Sequence, residues 1–269
     1  MIATLARDTR ANVAMARTAF RSLVAYQMSF LFSLMAAAVS ALAMLYLWRS
    51  VLASGARGGF TWPDMKAYLL VAFVAGSLVS AYVDYRIAGR IREGDVALDF
   101  VKPVGYHRAR FAETLGFGVY ELFTGVVVAA VVAVVFGGIR GVQSGSLVPF
   151  LVSAVLVLPL RFGIVYISGL VVFWTRNYIG VQAGRIALVT LFSGALVPLA
   201  LFPDWLHTLA NFLPFAGMAS TPALIYVGHL TGADAWVAVL VQAAWAVGLW
   251  LAGTAFWGFA SRKMTIHGG

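Results

Sequence analysis

Apolar and polar positions alternate along this chain in long blocks, not at the short periods of a soluble helix or strand. The apolar blocks cover 24–48, 65–85, 106–136, 147–174, 179–201 and 236–259. Each approaches or exceeds the ~20 residues that a helix needs to cross a bilayer, so each is predicted to be a transmembrane helix. A different pattern fills 203–232, where two apolar pieces, 205–215 and 221–230, contain Pro214 and Pro222 and are too short to span. They predict a re-entrant or interfacial helical hairpin before the last span. At the start, residues 3–22 put Arg10, Arg17 and Arg21 on one helical face, with Leu5, Val13, Ala16 and Phe20 supplying an apolar side. That is the pattern of a helix lying in the lipid headgroup layer. The expected fold is an all-α polytopic membrane protein, one transmembrane domain of six spans.

The polar island 86–110 interrupts this pattern between the second and third spans. Its middle predicts a short amphipathic helix over 92–103, far too short to cross a membrane. Glu93 and Asp95 stand at the N-terminal end, where carboxylates suit the positive end of the helix dipole. Gly94 permits a sharp turn out of the preceding helix. Asp95 and Asp99 are four apart and share one face, Val96 and Phe100 share another, and Leu98 lies close by. Lys102 suits the C-terminal end, and Pro103 stops the helix. A helix with an apolar and an acidic face suits a groove on a partner, or a resting place against its own bundle.

Composition sharpens the membrane reading. Hydrophobic residues make up 62% of the chain and charged residues 11%. An ordinary soluble domain is roughly 45–50% apolar and about 25% charged. The formal charge of +9 would suggest nucleic acid in a soluble protein. Here the basic residues gather beside apolar blocks without a basic–aromatic patch, so no nucleic-acid partner is expected. Only Arg49, Arg57, Lys66 and Arg140 fall on one side of the six-span layout, and Arg161 falls within it. The other basic residues fall on the opposite side, which predicts cytoplasmic N- and C-termini and puts 86–110 in the cytoplasm. No apolar leader precedes the basic residues of the first turns, so no cleavable signal is expected. With no cysteine there is no thiol chemistry.

Two charges fall near mid-depth of apolar blocks: Glu121 in the third and Arg161 in the fourth. An unpaired charge there costs at least ~2.5–3.5 kcal/mol, so the two are expected to pair or to line a hydrated cavity. Gly180 and Gly184 form a small-xxx-small pattern at the start of the fifth block, a candidate helix–helix or subunit interface.

Catalytic patterns are missing. Phosphate-cradling loops end in Gly-Lys-Ser/Thr, whereas Lys66 precedes Ala67, Lys102 precedes Pro103 and Lys263 precedes Met264. No His-Glu-x-x-His or Gly-x-Ser-x-Gly motif occurs, and no catalytic residue or metal site is expected. His107, His207, His229 and His267 are isolated and read as interface residues.

The run from Ile91 through Gly94-Asp95 to Phe100-Val101-Lys102-Pro103 resembles the signature of the ABC-2-type permeases, the bacterial "ABC-2 family transporter protein" group. Leu213-Pro214-Phe215, then Pro222, Ile225-Tyr226 and Gly228, resemble a second pattern of that family. The resemblance covers essentially the whole chain. It implies the permease subunit of an ABC exporter in the bacterial inner membrane, moving an amphipathic or hydrophobic substrate outward. It also implies two separate ATPase subunits that bind ATP and Mg, and a second permease, identical or paralogous. Gly94, Asp95, Leu98, Asp99, Phe100, Lys102 and Pro103 would then form the helix that couples to the ATPase. The rivals are an ATP-independent transporter or channel and an intramembrane enzyme acting on lipids.

Overall fold

In the computed structural model, the described residues are 27–53, 55, 59–79, 83–100, 104–143, 145–175 and 178–262. The expected leader helix at 3–22 lies outside them. The described chain folds into α1 (Gln27–Ala53), α2 (Trp62–Ser77), α3 (Val83–Arg92), α4 (Val96–Phe100) and α5 (Tyr106–Val135). It continues as α6 (Leu147–Leu170), α7 (Tyr178–Phe192), α8 (Asp204–Phe212), α9 (Ser220–Val227) and α10 (Gly232–Ser261). Short 3₁₀ turns follow at Val171–Phe173, Leu199–Leu201 and Ala216–Met218.

Among the described residues, four helices are long and apolar enough to cross a membrane: Leu34–Ala53 within α1, α5, α6 with its 3₁₀ turn (Leu147–Phe173), and α10. Their outer faces carry Val39, Phe123, Val155 and Leu240, each more than half exposed on the protomer. Apolar area on that scale suits lipid or another membrane chain, not water. α6 lies at the centre, packed against α10, α3, α9, α5 and α7.

The blocks expected as the second and fifth spans form shorter helices. α2 opens at Trp62-Pro63, Thr61 caps it, and the Thr61 hydroxyl donates to Asp64 at 2.6 Å. It ends at Ser77, residues 78 and 79 bend, and the next described helix begins at Val83. Ser77 Oγ donates to Val74 O at 2.8 Å, a local bond that competes with the helix ladder. α5 presses on this break through Gly118 and Gly125, where a Cβ would collide with Leu78 O and with Ser77. α7 stops at Phe192, short of the expected 201. Beyond it Gly194 has φ +76°, Ser220 N–H donates to Ser193 O at 2.9 Å, and Tyr68 Oη donates to Gly194 O at 2.8 Å. The unwound backbone is thus satisfied by α9 and α2, the condition for irregular chain at membrane depth.

One end of the bundle carries the helical hairpin. α8 exposes Trp205 and Phe212, as an interfacial helix would, whereas α9 is buried against α2 and α6 and ends at Gly228 in the left-handed region. Tyr226 Oη donates to Arg140 O, and Arg140 pairs with Asp64 at 3.0 Å. The opposite end carries α4.

Candidate functional site

α4 is a single helical turn hung between the two long elements α3 and α5. A turn at 93–95 with Gly94 at φ +81° reverses the chain out of α3, a conformation costly for any side chain with a Cβ. Val96 is buried in the apolar cluster of Val83, Ile87, Tyr106 and Tyr166. Asp99 is buried too: both the Nε (3.1 Å) and Nη2 (2.9 Å) of Arg90 donate to its Oδ2, and Arg110 reaches its Oδ1 at 3.4 Å. Arg110 in turn pairs with Glu113 at 2.9 Å and lies over the Tyr106 ring. Burial pulls the Arg90 pKa down, but the charge and hydrogen bonds of Asp99 outweigh it, and the net direction is up.

The face shared by Asp95 and Asp99 in the sequence is therefore split. Asp99 points inward as an anchor, while Leu98 is 60% exposed. Ala97, Gly94 and Glu93 are exposed beside it, and Asp95 is half-buried with its carbonyl accepting from Arg90. Phe100 closes the helix. Lys102 and Pro103 lie outside the described residues. The arrangement gives a rigidly mounted turn that presents an apolar tip rimmed by small and acidic residues.

A second feature lies deeper in the bundle. Between α1, α2, α7 and the unwound 193–196 segment is a cavity of about 430 Å³. Arg161 of α6 reaches it, and its Nη1 lies beside Gly76 of α2. No contact ion pair joins Arg161 to Glu121 among the described residues; Glu121 and Arg185 act on Arg161 through space. Glu121 stands next to the α2 break, where Ser77 Oγ lies 3.5 Å from its carbonyl oxygen.

Gly184 is exposed, and a Cβ there would meet nothing within 4 Å. Gly180 and Gly184 border an open groove of about 470 Å³ between α6 and α7.

A family model of the ABC-2 family transporter proteins matches residues 32–268. The chain belongs to the ABC-2 transporter family. No curated protein matches it closely enough to be counted a relative. An ABC-2 chain of this kind is the membrane permease component of an ABC transporter, a transport subunit and not itself a catalyst.

Within this ABC-2 permease, several buried polar groups escaped the sequence reading. Asp84 is fully buried, accepts from Arg185 Nε at 2.7 Å and from Gln182 at 3.2 Å, and so locks α3 to α7. Arg185, which charge counting assigned to the cytoplasm, is buried in that pair. Gln242 of α10 donates to Ser153 O and Gly217 O and accepts from Ser153 Oγ, a fully satisfied amide. His107, expected at an interface, is buried instead: it stacks between Tyr166 and Trp250 with Nδ1 2.8 Å from Thr254 Oγ1. A lone acid at the end of one apolar block and a lone base inside another were the available signals for Asp84 and Arg185.

Proposed function

We propose that this permease serves an ABC exporter in a bacterial inner membrane, driven by two separate ATPase subunits that bind ATP and Mg. The observation that carries this reading is the mounting of α4. A helix of one turn has almost no stability of its own, yet here it is fixed by Val96, by two arginines on Asp99 and by Gly94. The large apolar side chain left outward among those described is Leu98, beside Ala97. Such an investment suits a surface that transmits force: a push on Leu98 passes through Asp99 to α3 by way of Arg90 and to α5 by way of Arg110. From α3 it continues to α7 through Asp84–Arg185.

In this reading the chain crosses the membrane six times, with α2–α3 and α7 as the two broken passes and both termini cytoplasmic. The 203–232 hairpin then faces outward. A second permease, identical or paralogous, packs on the Gly180–Gly184 face. Glu121 and Arg161 form a polar pair at mid-depth, coupled through space. Rocking of the broken passes around their interruptions opens a route for an amphipathic or hydrophobic substrate.

Reconstitution tests the reading. Proteoliposomes holding this chain and the ATPase that co-purifies with it should move a lipophilic dye only when Mg and ATP are present. Equal flux without ATP would transfer the chain to the ATP-independent transporters.

A further inference from the structure

The cavity beside Arg161 combines two properties that seldom meet. Its walls are almost wholly apolar, with Leu45, Leu69 and Leu196 toward the hairpin end, and among the described residues Arg161 is the one charged residue that lines it. Along α2 the lining extends from Leu69 to Ser77, ~12 Å at 1.5 Å per residue. Its volume falls in the range of ordinary small-molecule sites, ~300–1,000 Å³. The guanidinium has five donors and, among the described residues, makes no hydrogen bond or contact ion pair. The other buried guanidiniums described here, those of Arg110 and Arg185, each hold a carboxylate at 2.9 and 2.7 Å. Glu121 supplies some opposing field from α5, but it occupies none of Arg161's donors.

We propose that this cavity binds an anionic amphiphile, with its acidic head against Arg161 and its apolar tail along Leu69, Leu45 and Leu196. This names the substrate class within the transporter reading given above and rests on it. A guanidinium matches a carboxylate or phosphate by two parallel donors, and in an apolar surround such a bond is worth more than in water. A neutral amphiphile would fill the walls and leave the donors as they are. An alkylammonium would meet like charge. The selectivity therefore lies at Arg161, and the affinity lies in the walls.

The test is equilibrium binding to the full chain in nanodiscs of phosphatidylcholine, with no ATPase present, so its outcome does not depend on ATP-driven transport. The probes are dansyl-undecanoate and its uncharged methyl ester, followed by dansyl fluorescence. The anion should bind about tenfold or more tightly than the ester, as a charge-assisted hydrogen bond in a dry site implies. Arg161→Gln should bring the anion to the affinity of the ester and leave ester binding unchanged, and Arg161→Lys should keep part of the preference. Ala41→Phe, which fills the cavity from α1, should lose both probes. Displacement by phosphatidylglycerol would make the occupant a membrane lipid; displacement by laurate alone would make it a single-chain acid. Equal binding of anion and ester to the unaltered chain overturns the proposal. So does an anion preference that survives in Arg161→Gln.

Discussion

Two sets of arginines divide this molecule. At the α4 end, Arg90 and Arg110 converge on Asp99, and one turn deeper Arg185 holds Asp84. At the cavity, Arg161 meets no carboxylate in contact among the described residues. The first set is structural: each cation satisfies a buried anion and joins two helices. The second has donors to spare and faces open volume. The same residue type thus serves as fastening in one region and as an available binding group in the other, and only the geometry tells them apart.

The sharpest way to break that distinction is to remove charges one at a time. Asp84→Leu leaves Arg185 buried without its partner and should cost about 3–5 kcal/mol. In nanodiscs this appears as a large drop in thermal midpoint, partly restored by the double variant Asp84→Leu/Arg185→Met. Asp99→Ala should come next, because it releases Arg90 and leaves Arg110 held by Glu113 alone. Its signature is rapid hydrogen exchange confined to 93–105, with α6 and α10 unaffected. Arg161→Met should go the other way. It removes a guanidinium that, among the described residues, makes no contact ion pair and feels Glu121 only through space, so the thermal midpoint should rise or hold. A drop as large as that of Asp84→Leu would show that Arg161 is a fastening after all. Smallest in its effect on the protomer, Gly184→Leu should leave the thermal midpoint within the range of a surface substitution, about 0.5 kcal/mol. Cross-linking of permease pairs in the same membranes should fall.

Much of the fold was legible in the sequence because lipid imposes a length rule on apolar helices. The blocks 106–136 and 147–174 became α5 and α6 with their 3₁₀ continuation almost residue for residue. Where block length misled, a specific close contact decided the matter. Gly118 and Gly125 of α5 bring backbone against Ser77 and Leu78, so α2 ends there. The Tyr68 hydroxyl and the Ser220 amide take the carbonyls of Gly194 and Ser193, so α7 can unwind. Neither contact leaves a mark in local periodicity.

The candidate site was legible in position and partly misread in orientation. Gly94 and the turn after α3 could be foreseen from the residue types. Asp95 falls in the turn before α4, so the face it was expected to share with Asp99 does not form, and Arg90 and Arg110 decide that Asp99 is buried. Pairing of Asp84 with Arg185, across 101 positions, is a tertiary fact that no spacing encodes.

The central claim is that a separate ATPase grips this permease at the exposed tip of α4. Leu98 contributes little to the fold, so Leu98→Asp should insert normally, keep its thermal midpoint and keep the 93–105 exchange protection. Affinity-purified from its native membrane, the unaltered chain should carry an ATP-hydrolysing subunit, and Leu98→Asp should lose most of it. If Leu98→Asp retains that subunit in full, or the unaltered chain carries none, α4 is not the docking surface and the account fails at its centre.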